Sequence, residues 1–287
     1  MNVTEGNWGA FENWISSLSA KYANRGLMFR GQGNSEWPLE TTLERHDRRR
    51  MSAAEYYRLI VRVGPAVETF TGIEAPEYDS EVASAFGDLD TFFSINGVPS
   101  DPVYRYMVYL RHHGFPSPLL DWSKSPYVAA FFAYRHGNSS AERRSIFAYC
   151  ESPNGIKGGA VGEPVIRTLG PYVRSHRRHF RQQSTYTVCQ SFDSQLGWRY
   201  DSHQRVFDNA RPGQDFLWRF DLPSDERLIV LQSLNKYNLN AYSLFDSEES
   251  LLETMWLQEQ VFKYPGLAEV KTDADRDLSA LLDKSRD

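Results

Sequence analysis

A chain of 287 residues with 14% aromatics can fill the core of one large domain or two small ones. Its net charge of −5 and sequence pI of about 5.9 argue against a protein drawn to nucleic acid by bulk charge. No stretch approaches the ~20 apolar residues that span a bilayer, and the start Met1-Asn-Val-Thr-Glu-Gly6 lacks the features of a secretory signal. Cys150 and Cys189 have neither the spacing nor the neighbours of zinc ligands. The expectation is a soluble cytoplasmic protein with no membrane contact, no bound metal and two free thiols.

In chain order, Trp8, Phe11, Trp14, Ile15, Leu18 and Tyr22 recur at helical spacing and predict an amphipathic helix over 7–24, ended by Gly26. Leu27 to Arg30 reads as a short buried strand, followed by a turn over 31–34. Ser52 caps a helix from about 53 to 71. Residues 72–102 mix Pro and Gly turns with a short helical stretch around 81–93. Asp101-Pro102 opens a helix that runs to His112. Residues 113–127 read as a loop. Ser125 caps and Pro126 starts a helix of about 127–136. Alternation over 144–150 predicts a strand, and 152–163 reads as a loop. Strands are expected at 184–190, 216–221 and 227–231. The segment 191–215 reads as an insertion or irregular hairpin, and 247–262 as a helix. One α+β domain over 1–287, its core about 10–262, fits this order: N-terminal helices on a sheet built later.

Two stretches carry chemistry. Met28-Phe-Arg-Gly-Gln-Gly33 puts Arg30 at the end of a strand, just before glycines that let a ligand or another strand approach the backbone. The planar guanidinium fork suits a phosphate or carboxylate; the plainer alternative is an ion pair with Asp121 or a glutamate. Arg111-His-His-Gly-Phe-Pro-Ser-Pro-Leu-Leu-Asp-Trp-Ser-Lys-Ser-Pro126 is dense in residue types that functional loops use, although a capped loop entering a core helix would use them too. Adjacent His112 and His113 face different directions and do not readily share a metal. One is expected as a hydrogen-bonding support at the cleft and the other exposed; His113 is the one assigned to the pocket. Tyr104, Tyr106 and Tyr109 read as core. Arg174-Ser-His-Arg-Arg-His-Phe-Arg181 and Arg45-His-Asp-Arg-Arg-Arg50 are basic clusters in an acidic chain, read as solvated faces or as contacts to a phosphate-rich partner.

Phe29-Arg30-Gly31 and the His112–Trp122 block together resemble the FRG-domain family, as does the weaker Gln182-Gln183 pair entering a strand. That family usually has glycine after the two glutamines, where this chain has Ser184. The block order is also similar to that of mono-ADP-ribosyltransferases, which implies a split antiparallel sheet with NAD as substrate. The resemblance places Arg30 on the diphosphate or ribose of NAD, with Gly31, Gln32, His113 and Trp122 around the pocket. It makes Ser123 and Ser125 supports of the nicotinamide pocket, Tyr127 a stacking group, and Gln182 or Gln183 a partner of the ribose hydroxyls. Most members of that superfamily carry a glutamate in the third block. Glutamine supplies no negative charge to an oxocarbenium-like transition state, and Asp121, beside Trp122, is the first candidate to compensate as acid or base; the equal alternative for Asp121 is a buried salt bridge to Arg30 or Arg111. Arg174, Arg177, Arg178 and Arg181 would line the rim and hold an acceptor, nucleic acid in preference to protein.

The implied setting is a toxin-like effector of an anti-phage or toxin–antitoxin system, with a neutralising partner protein that Trp198, Tyr200, Phe207, Phe216 and Trp218 either meet at the surface or ignore as core residues. A binding module without catalysis and an NAD glycohydrolase are the alternatives. A metal-dependent nuclease is disfavoured because no compact carboxylate cluster appears.

Overall fold

A computed structural model describes residues 1–46, 51–88, 101–137, 141–159, 162–170, 177–209 and 211–263. Its strands are β1 (Asn2–Glu5), β2 (Met28–Gln32), β3 (Leu119–Ser123), β4 (Arg143–Cys150), β5 (Val165–Leu169), β6 (Ser184–Asp193), β7 (Gly197–Tyr200) and β8 (Phe216–Pro223). The α-helices among the described residues are α1 (Trp8–Lys21), α2 (Thr42–His46), α3 (Ala53–Thr71), α4 (Ser80–Ala85), α5 (Asp101–His112), α6 (Pro126–Tyr134), α7 (Arg177–Arg181), α8 (His203–Asp208), α9 (Arg227–Lys236), α10 (Ala241–Phe245) and α11 (Glu248–Trp256). The eight strands form one mixed sheet in the order β1-β8-β4-β2-β3-β6-β5, with β7 paired to β6. Only β1 and β8 run parallel; the other pairs are antiparallel. This is a single α+β domain.

Local sequence explains the helices that frame the site. Asn7 caps α1, which buries Trp8, Phe11, Ile15 and Leu18 on one face. Ser52 and Glu55 close a capping box at the start of α3, and Gly72 ends it in the left-handed region, at φ 69°. Ser125 caps α6 and Pro126 occupies its first turn. One core cluster joins α1, α6 and α9 to β2, β4 and β8; a second joins α3 and α5 to β3, β6 and β7. A third, around Met28, Leu120, Trp122, Phe147 and Tyr149, fills the opposite face of the sheet.

The decisive feature lies between the first two clusters. β2 pairs with β4 along all five of its residues, and β3 pairs with β6 along all five of its own. Between them β2 and β3 share a single register pair, Phe29 with Ser123, so the sheet parts at its centre. Gly31 lies under α6: an added Cβ would stand 1.9 Å from the Ala129 carbonyl oxygen and 2.7 Å from the Ala133 nitrogen. The glycine is needed here for the close approach of a helix, not of another strand. The last carbonyls of α6 and the turn after it are met by two cations. Arg144 donates to Ala133 O and His136 O, and Arg227 to Tyr134 O and Arg135 O, the placement that a helix C-terminus favours.

Three sequence expectations change. Residues 119–123, read as loop, form the central strand β3; their neighbouring prolines and serines mask a strand whose hydrogen bonds are all long-range. Residues 227–231, read as strand, open the helix α9, in which Val230, Leu231 and Leu234 are buried; a short apolar run does not separate the two states. Strands also precede and follow the N-terminal helices, so the sheet is not built only from the later chain. Segment 191–215 contains the end of the β6–β7 hairpin and α8. Trp198, Tyr200 and Phe207 are buried there, while Phe216 and Trp218 pack against Tyr22; these five belong to the fold's interior packing. The helical stretch expected at 81–93 is described only as far as α4, and 89–100 lie outside the described residues. No described helix is long and apolar enough to cross a membrane.

Candidate active site

A cleft of about 920 Å³ opens where β2 and β3 part. Successive side chains leave a strand on opposite faces, and Arg30 is out of phase with Phe29, so its guanidinium turns into the gap. Arg30 Nη1 donates to the Asp121 carbonyl oxygen at 2.8 Å and pairs with Asp121 Oδ2 at 3.2 Å. Arg111, at the end of α5, takes the other carboxylate oxygen. One carboxylate thus bridges two arginines from two different elements. Burial opposes its ionisation, but Arg111 and then Arg30 outweigh burial and hold the Asp121 carboxyl well below the usual carboxylate range. Burial also lowers the Arg30 pKa, with Asp121 offsetting part of the effect. Asp121 therefore stays ionised and committed at neutral pH, which makes it a poor general base.

The cleft wall carries five arginines, Arg30, Arg45, Arg111, Arg144 and Arg178, against two carboxylates, Asp121 and Glu40. Arg30 Nε, Arg111 Nε and Gln32 Oε1 are buried without a hydrogen-bond partner. Unsatisfied polar atoms converging on one cavity are rare in folded proteins; the two Nε donors suit an anion, and Gln32 Oε1 suits a donor such as a hydroxyl or amide.

The residues singled out from sequence separate into two groups. Arg30, Gly31, Gln32, Asp121, Trp122, Ser123, Arg178 and Gln182 line the cleft. Within it, Trp122 Nε1 donates to Thr187 Oγ1 at 2.8 Å and Ser123 Oγ to Gln182 O at 2.7 Å, while Gln182 Nε2 donates to Leu244 O at 3.2 Å. Gln183, Ser125, Tyr127 and His113 do not line it. Gln183 is exposed, at φ 48°, which turns it away from its neighbour. Ser125 is the cap of α6. Tyr127 packs between Trp8 and Tyr237. His113 is exposed and packs on Tyr109; His112 is the histidine on the cleft wall. Arg181 pairs with Asp246 at 3.0 Å and Arg177 approaches the same carboxylate at 4.0 Å, both outside the cleft lining. Arg174 lies outside the described residues.

Sequence reasoning named Arg111 only as an ion-pair partner of Asp121, which it is, and missed Arg144, Glu40 and Tyr186. Tyr186, opposite Asp121 in the β3–β6 ladder, places its hydroxyl 2.9 Å from His112 Nε2 and 3.3 Å from His179 Nδ1. The signal available was the alternation of β6, which puts Ser184, Tyr186 and Val188 on one face.

Buried histidines set the acid behaviour. Burial pushes His112 down to about 4, against the pull of Asp121, and burial followed by Arg30 pushes His203 down to about 3. A histidine whose folded pKa is depressed contributes stability that is fully present above its unfolded value near 6.5 and is lost as pH falls through the folded value. The melting temperature should therefore fall between pH 6.5 and 4, with His203 alone contributing about 3 kcal/mol over that interval. His203→Gln should flatten the slope, and an unchanged slope would contradict the assignment. Asp121 adds a second loss only below the ordinary carboxylate range.

The fold and cleft define a class: an α+β domain whose parted sheet exposes an arginine-lined pocket. A family model, the FRG domain, matches residues 25–142 of the chain. That span holds Arg30, Glu40, Arg111, His112, Asp121 and all of α6, but not β6. No curated protein and no solved structure matches the chain significantly.

Proposed function

We propose that the protein is an NAD-dependent ADP-ribosyltransferase, a toxin-like effector acting in the cytoplasm in anti-phage defence or a toxin–antitoxin pair. One observation carries the reading: the Arg30–Asp121–Arg111 bridge at the parting of β2 and β3, on the floor of a cleft lined by five arginines. Two forks held rigid by one carboxylate keep donors directed at a diphosphate. The ligand's uncharged remainder would lie along Trp37, Phe132 and Phe245 on the same wall. The acceptor is a macromolecule, nucleic acid in preference to protein, and Arg178, the residue of the basic cluster that lines the cleft, supports that reading. A neutralising partner protein belongs to the same reading.

A binding module without catalysis is favoured by one fact: Gln182, the third-block residue in the cleft, is uncharged and its amide is engaged with Leu244. The two readings part on turnover. Purified protein is incubated with labelled NAD and total RNA, DNA and lysate protein, and the label is followed. Label on a macromolecule supports a transferase and names the acceptor class. Free ADP-ribose alone identifies a glycohydrolase, and unconsumed NAD identifies a binding module.

A further inference from the structure

We propose that Glu40 is the catalytic carboxylate of this cleft, supplying the negative charge that the third block lacks; the inference rests on reading the cleft as an NAD site. Two carboxylates line the cleft among the described residues. Asp121 is held by two arginines. Glu40 makes no ion pair and no side-chain hydrogen bond among the described residues, although it stands in a wall with five guanidiniums. Its backbone is fixed on both sides. Leu39 is buried at 2% exposure, and Thr41 begins a reciprocal cap with Glu44, whose carboxylate accepts from Thr41 N at 2.7 Å. The Pro38 carbonyl accepts from Glu40 N at 2.9 Å and from Gln32 Nε2 at 3.2 Å. Gln32 leaves β2 on the same face as Arg30, so Glu40 is tied to the strand that carries Arg30. A rigid main chain with an uncommitted carboxylate is what a functional acid presents, and what a structural one, such as Glu44, does not.

The chemistry requires such a group. In the reaction the bond between ribose C1′ and the nicotinamide nitrogen breaks. Its electron pair leaves with nicotinamide, which becomes neutral, and the ribose is left with oxocarbenium character. The acceptor's nucleophilic atom then bonds to C1′ and gives its proton to solvent. A cation forming in an arginine-lined cleft is disfavoured unless an anion faces it, and fixed charge aimed at developing charge is the largest catalytic device available to an enzyme. Glu40 would do this by accepting a hydrogen bond from a ribose hydroxyl.

The test is nicotinamide release by the full chain and its Glu40→Gln and Glu40→Asp variants, with melting temperatures measured alongside. Glu40→Gln should lower kcat by roughly 100-fold or more, with KM for NAD within about threefold and the melting temperature unchanged; Glu40→Asp should recover part of kcat. A kcat for Glu40→Gln within about threefold of the parent overturns the proposal while leaving the NAD reading intact. A lowered melting temperature overturns it as well, since the carboxylate would then serve the fold. Failure of the parent protein itself to release nicotinamide removes the underlying reading.

Discussion

Gly31→Ala is expected to be the most destructive single-atom change in the chain, while Gly33→Ala, two residues on, is expected to be tolerated. The new methyl at 31 would overlap the Ala129 carbonyl at 1.9 Å, whereas at 33 the nearest atom is the Ala133 carbonyl oxygen at 3.7 Å, an ordinary contact. Overpacking a core costs about 1–3 kcal/mol when side chains can adjust. Here the obstacle is the main chain of α6, so the loss should reach or exceed the top of that range, out of a total stability of about 5–15 kcal/mol. At roughly 2–4 °C per kcal/mol, the melting temperature should fall by about 10 °C, or the protein should fail to accumulate folded. Thermal melts of the two variants decide the matter. Equal tolerance of both would mean that α6 does not cross β2 as described.

Arg30→Lys is expected to abolish most NAD turnover while keeping the fold. Lysine retains the charge near Asp121 but not the planar guanidinium, whose Nη1 alone meets the Asp121 carbonyl and carboxylate while Nε is left without a protein partner. Nicotinamide release should drop by at least about 100-fold, with a melting temperature within a few degrees of the parent. Asp121→Asn should do the reverse of what a catalytic base predicts and lose stability first. It leaves Arg30 and Arg111, at 12% and 17% side-chain exposure, facing each other without their shared counter-ion. Breaking a fully buried pair costs about 3–5 kcal/mol; with Asp121 itself 42% exposed, solvent screening reduces this to about 2 kcal/mol. Activity retained by Arg30→Lys would relegate the fork to holding the two halves of the sheet together.

Much of this was legible in the sequence where the signal is local. The caps at Ser52 and Ser125 and the apolar spacing of α1 need only neighbours along the chain, and these helices stand close to where the pattern put them. The two blocks around Arg30 and Asp121 were recognisable, and they do meet. What sequence could not show is how they meet. Whether Arg30 is free or paired depends on Arg111, which reaches Asp121 from α5. The choice between Gln182 and Gln183 turns on one left-handed residue. Glu40 sits in an unremarked stretch, and its importance appears only once Asp121 is seen to be engaged. β3 was hidden because all its partners are distant in sequence.

The central claim is that the cleft between β2 and β3 is a dinucleotide site built on Arg30, and calorimetric titration of the full chain with NAD tests it most directly. Saturable binding at one site per chain, weakened at least about tenfold by Arg30→Lys, is the predicted result. No heat of binding up to millimolar NAD, or binding that Arg30→Lys leaves unchanged, would contradict it.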